Sequence, residues 1–223
     1  LAFFLSILGT FLVRSGIVVS VHSFAIDPQR GIWLLVYLLV ILIASLSVYS
    51  WYAKHLTIER NPRLPSRGAW ILANNCLILV AIVTVLLGTL YPLIAQWVWQ
   101  TRLSVGGPYF ISMMTPLTAL FALLLGVTMQ SQWSEKWRPE MRMQLLKMAG
   151  IALLLAILSC ILLWQFSVVL LIGLFLVFWI VCNTATAKLS LAGRWAHMGF
   201  ALLLAGIALS STGSMQRDGV WKE

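Results

Sequence analysis

The spacing of its apolar runs limits this chain more than any single residue does. Six stretches of the 223-residue sequence continue for about twenty residues with almost no charge, and a shorter apolar run precedes them. About twenty apolar residues in an α-helix cross the ~30 Å hydrocarbon core of a bilayer. With 61% hydrophobic and only 9% charged residues, the chain cannot cover such runs as a water-soluble domain. The fold class is therefore all-α, a polytopic helical membrane protein of about seven transmembrane segments with the first incomplete.

The breaks between runs set the expected spans. The first covers Leu1 to about Val13, and the second runs from about Gly31 to Trp51. Pro62 and Pro65 interrupt any helix in the loop that follows, and the third span runs from about Ala69 to Ile94. Gly106, Gly107 and Pro108 mark a turn before a fourth span, Phe110 to Met129, in which Pro116 is expected early, where a missing backbone donor costs least. Spans five (Leu145 to Trp164) and six (Phe166 to Ala187) share a tight hairpin near Gln165, and the seventh covers Trp195 to Gly213. Residues 1–213 read as a bundle that forms part of a larger one, and 214–223 as the truncated start of a segment outside the membrane.

The net charge of +9 would suit a nucleic-acid partner, but its distribution excludes one. Basic residues fall in short loops, as chain orientation in a membrane requires. One side of the membrane collects ten: Lys54, Arg60, Arg63 and Arg67, then Lys136, Arg138, Arg142 and Lys147, then Lys188 and Arg194. Arg14, Arg30, Arg102, Arg217 and Lys222 make five on the other side. The first side is cytoplasmic by this count, and the C-terminal tail lies outside. Trp33, Trp51, Trp70, Trp97, Trp99, Trp164 and Trp195 lie near span ends, as an interfacial aromatic belt would. All six acidic residues are expected outside the spans, so no intramembrane carboxylate marks a proton-coupled transporter. Cys76, Cys160 and Cys182 form no CxxC pair and read as small apolar packing residues.

Three polar side chains remain as candidates. His22 stands in a mostly apolar stretch beyond the first span, just outside one membrane face, where a neutral imidazole can bind metal or simply rest its tip in water. His197 lies inside the seventh span, and the helical face it begins continues through Ala201, Ala205, Ala208 and Thr212. Such a small-residue stripe serves close helix packing or receives a flat ligand, and periodicity does not separate the two. Arg14, at the end of the first span, anchors to headgroups or meets an anionic ligand group. Arg102 allows the same pair of readings. His55, beside Lys54 in a basic loop, is expected to be solvated, and Asn74 and Asn75 to bridge helices.

The stretch Thr10–Gly31, TFLVRSGIVVSVHSFAIDPQRG, resembles the CcmF/NrfE family of cytochrome c haem lyases. Further similarity follows in order at Leu72–Asn75, Leu87–Pro92, Arg102–Phe110 and Ala196–His197, so it covers nearly the whole chain. Residues 1–10 and the Arg102–Phe110 stretch lean towards the NrfE branch. The resemblance implies a haem lyase of the bacterial inner membrane, which joins haem to apocytochrome c at the periplasmic face. It implies two haem sites, each bis-histidine: His22 would bind the iron of the substrate haem, and His197 the iron of a haem b among the helices. Arg14 would then contact a haem propionate. Implied partners are apocytochrome c, the haem-delivery and thiol-handling proteins of the maturation system, and membrane lipid. The second ligand of each haem and the family's tryptophan-rich WWD segment have no match here; Trp97 and Trp99 are too sparse for it. Two other readings stay open, a permease for haem or a small molecule and a non-catalytic assembly subunit of the maturation complex.

The basic-residue count fixes a testable topology. A reporter fused after Glu223 should be active only when it requires the periplasm, and cytoplasmic activity there would reverse the orientation of every span.

Overall fold

The computed structural model describes residues 2–17, 27–55, 66–101, 105–133 and 139–213. Within them the chain forms seven α-helices: α1 (Ala2–Arg14), α2 (Pro28–Ala53), α3 (Arg67–Trp99), α4 (Gly107–Gln130), α5 (Pro139–Leu162), α6 (Val168–Thr186) and α7 (Leu191–Gly213). No strand occurs among the described residues. Six helices, α2 to α7, are long and apolar enough to cross a membrane, while α1 has 13 residues. The expected all-α membrane architecture, with a short first segment, is what forms.

Helix ends differ from expectation where capping chemistry extends them. α2 begins at Pro28 rather than Gly31 because Asp27 caps it. The Arg30 N–H donates to Asp27 Oδ1 at 3.2 Å, and Arg30 Nε lies 3.2 Å from Oδ2. α5 begins at Pro139, whose missing N–H costs nothing in a first turn, and so takes in Glu140, Arg142 and Lys147. Glu140 therefore belongs to a spanning helix, against the expectation for the acidic residues, although its first-turn place suits the helix dipole. α3 continues through Pro92 to Trp99, past the expected end at Ile94. In hydrocarbon a continued helix satisfies more backbone groups than a break would. Pro116 is an interior residue of α4, not an early one, since that helix starts at Gly107. Between α5 and α6 the chain reverses as expected, with Trp164 at φ 51° and the Gln165 N–H donating to the Cys160 carbonyl at 3.2 Å.

The chain divides into two compact units. One comprises Leu1–Asn61 with Thr89–Val105, the other Pro62–Gly88 with Gly106–Glu223, and α3 contributes to both. In the first unit α1 and α2 form a helical hairpin. The Asp27 N–H donates to the Arg14 carbonyl at 3.1 Å. A Cβ on Gly31 would lie 3.1 Å from the Ser15 Cα, so the helices approach backbone to backbone there.

The second unit is built on α6, which packs against α4, α5 and α7. Leu170 and Ile180 are fully buried on it. A Cβ on Gly126 of α4 would collide with the Trp179 indole, so the ring lies directly on the α4 backbone. Trp179 Nε1 donates to the Leu123 carbonyl at 3.2 Å, which satisfies the indole in an otherwise apolar interior. Towards the far end of the same contact, Gln130 Nε2 donates to Thr186 Oγ1 at 2.8 Å and to the Asn183 carbonyl at 3.3 Å. Against α7 the approach is again close: a Cβ on Gly173 would lie 2.7 Å from the Ala208 Cβ. Phe200 of α7 meets Phe121 of α4 edge to face at 5.7 Å. On α3, Asn74 does bridge helices, donating to Thr128 Oγ1 at 3.3 Å, whereas Asn75 is exposed. Cys160 is buried as expected, Cys182 is half-buried, and Cys76 faces outward rather than packing.

Gly126→Val should destabilise the protein by about 1–3 kcal/mol through overpacking against Trp179. Gly199→Ala, where an added Cβ meets nothing within 4 Å, should be neutral. Thermal unfolding of the complete protein in detergent checks both. A Gly126→Val protein as stable as the parent would remove the indole–backbone contact from the account.

Candidate functional site

α7 opens with Ser190, whose Oγ accepts the Gly193 N–H at 3.2 Å, and with Arg194 Nη2 donating to the Ala187 carbonyl at 3.5 Å. These contacts fix the first turns of the helix against the end of α6, and His197 follows within them. By helical periodicity it shares a face with Ala201, Leu204 and Ala208. Ala201 is 2% exposed and Ala208 7%. Counting back along the antiparallel α6 and α7 from Gly173 and Ala208 brings His197 to about the level of Thr184. The Thr184 hydroxyl is buried and donates to Met129 Sδ at 3.5 Å.

Ala201 and Ala208 pack against α6, so helix packing accounts for that part of the small-residue stripe. His197 itself is half-buried. The half-buried His197 imidazole would fit as one ligand to a haem iron, whereas the Ala201 and Ala208 contacts with α6 do not fit a haem inserted between those two helices there. Among the described residues, no three or more His, Cys, Asp or Glu side chains gather to bind a bare metal ion.

His22 and Arg102 lie outside the described residues, and so does the tail from 214 onward. The anchors that flank His22 are described. Arg14 is the last residue of α1, with a half-buried side chain. Gly16 follows at φ 74°, a left-handed conformation that lets the chain leave the helix. The Arg14 carbonyl then receives the Asp27 N–H, so the two ends of the His22 stretch are tied together. His55 is exposed, as expected, with its ring centroid 6.3 Å from that of Tyr52.

Beside this anchor the first unit contains a cleft of about 540 Å³, lined by Ile17, Leu93, Ile94, Gln96, Trp97 and Gln100. Its volume falls in the usual range for small-molecule sites. An aromatic and aliphatic wall with two carboxamide residues suits a flat ligand with one apolar and one polar edge. By sequence Trp97 belongs to the interfacial belt. The signal available was Gln96 and Gln100, four positions apart and flanking the indole at the end of an apolar helix.

Helices and hydropathy together define a polytopic helical membrane protein. The chain is 39% identical to the cytochrome c-type biogenesis protein CcmF of Escherichia coli K12, over 97% of its own length and 36% of that protein. It is 36% identical to CcmF of Pseudomonas aeruginosa over the same shares. The probable cytochrome c-type biogenesis protein NrfE of E. coli matches at 41% identity over 54% of the chain and 22% of that protein. No family model and no solved structure matches. The chain belongs to the CcmF/NrfE family, and it spans about a third of the length of the relatives it matches. Both branches are represented, and the wider coverage by CcmF proteins gives no preference for NrfE.

Proposed function

We propose that this chain is part of a cytochrome c haem lyase that holds haem for covalent attachment to apocytochrome c. The observation that carries the reading is the apolar cleft at Ile17 and Trp97, at the point where the chain enters the stretch bearing His22. In this reading His22 binds the iron of the substrate haem, and the cleft takes part of its apolar edge. Arg14, at the end of α1, offers a planar guanidinium suited to a propionate carboxylate. The reaction adds a cysteine thiol of apocytochrome c across a haem vinyl group. The S–C bond forms, the vinyl π bond is consumed, and the proton passes to the neighbouring vinyl carbon. The protein's contribution is to fix the vinyl edge against the thiol and keep the apolar face from water.

His197 would hold the iron of a second haem, a haem b, which when bound would contribute one-electron chemistry. The half-buried position of the ring supports this, because the imidazole is reachable yet shielded. The second ligand of each haem comes from residues outside this chain. The proteins that deliver haem and manage apocytochrome thiols act as partners. The setting is the bacterial inner membrane, with the tail periplasmic.

Two variants of the complete protein test the reading together. His22→Ala should abolish or sharply reduce cytochrome c maturation while the spectrum of the His197 haem persists, and added imidazole should restore part of the function. His197→Leu should lower the haem content of the purified protein, since it keeps the bulk of the side chain and removes the ligand. Normal maturation by His22→Ala would refute the ligand assignment. An unchanged haem-to-protein ratio in His197→Leu would reduce that residue to packing and favour a non-catalytic assembly role.

A further inference from the structure

Hydrogen bonds fix the helix directions in the second unit. Asn74 reaches Thr128, and the Arg67 N–H donates to the Gln132 carbonyl at 2.6 Å, so α3 and α4 run antiparallel. The Trp179–Leu123 and Gln130–Thr186 bonds make α4 and α6 parallel, while α5 and α7 run against α6. One end of the unit therefore gathers the starts of α3, α5 and α7 with the ends of α4 and α6. Among the described residues this end carries Arg67, Arg142, Lys147, Lys188 and Arg194 against one carboxylate, Glu140. The opposite end of the unit carries no charged described residue. The one ion pair among the described residues, Arg30 with Asp27, lies in the other unit. Among the described residues this end is therefore net positive, five cations against one carboxylate.

Arg67 is the member of that set held in a defined geometry. Its guanidinium carbon lies 5.8 Å from the centroid of the Trp133 ring, and Trp133 is 73% exposed. Its Nε is sealed from solvent with no hydrogen-bond partner, so none of the described carboxylates has claimed the group. One turn further along α3, Ile71 and Leu72 are exposed and apolar. A guanidinium laid on an indole at the rim of an apolar helix surface offers its outer N–H groups to a phosphodiester and its flank to acyl chains.

We propose that Arg67 and Trp133 form the seat of an anionic phospholipid headgroup, with the other cations of this end adding long-range attraction. A lipid fits better than a free anion, because the exposed residues beside the seat need an apolar cover that inorganic phosphate cannot supply. This proposal stands on charge and packing in the second unit and does not depend on the haem reading.

The test incubates the complete protein in detergent with equal amounts of phosphatidylglycerol and phosphatidylcholine, and counts retained lipid by native mass spectrometry. The parent should retain phosphatidylglycerol preferentially. Arg67→Gln and Trp133→Leu should each reduce that preference, Arg67→Gln by roughly fivefold, the value of one basic residue at an anionic membrane surface. Trp133 is exposed, so its variant keeps the test standing if Arg67→Gln fails to fold. Lys147→Gln should have a smaller effect; an equal one would replace the seat by diffuse charge and overturn the proposal. So would an unchanged preference in both seat variants, or displacement of the lipid by inorganic phosphate at matched concentration.

Discussion

Trp179 can lie on α4 only because Gly126 presents no side chain beneath it. Much of the second unit depends on that contact. The indole fills the space where α4 and α6 come closest, and its N–H donates to a backbone carbonyl of the helix it covers. Lipid tails give no hydrophobic incentive for helices to associate, so close packing and interhelical hydrogen bonds must do it. Once α6 is set against α4, its other faces take α5 through Ala156 and Cys160 and α7 through Ala201 and Ala208. Small residues recur at each of these contacts, because only they let helix backbones approach this closely.

That requirement also explains why the sequence showed the spans clearly and the packing poorly. Apolar length determines where a helix can cross hydrocarbon, and the six long segments and the short first one were all legible from it. The ends were less so. Asp27, Pro139 and the passage through Pro92 extend helices by local backbone chemistry that hydropathy does not register. The stripe along α7 was visible as a period, but a row of alanines reads the same whether a helix or a ligand faces it. The position of α6 shows which of those alanines pack, and α6 is placed by Gly126 and Trp179, neither of which stands out in the sequence. Glu140 was misplaced for a related reason, since a charged first turn looks like loop until the proline before it is recognised as a helix start.

The candidate site was legible to different depths in its parts. His22 and His197 were the conspicuous residues, because imidazoles are rare in a chain with three histidines and so little charge. The structure describes one of the two. It adds what no period could give, a cleft formed where Ile17 after α1 meets the last turns of α3, residues far apart in sequence. Trp97 and Gln100 gain their meaning from that meeting. In the sequence they were the end of an apolar run.

The placement of His197 follows from the cost of polar groups in hydrocarbon. Deep in α7 an imidazole would need a partner, and the inner positions of this face are taken by Ala201, Leu204 and Ala208, which α6 covers with apolar side chains. His197 stands nearer the start of α7, where Arg194 Nη2 donates to the Ala187 carbonyl, and it is half-buried there. In the proposed reading this imidazole would serve as one ligand to a haem. Ala201, Leu204 and Ala208 hold α7 on α6, and so fix the helix that carries the imidazole.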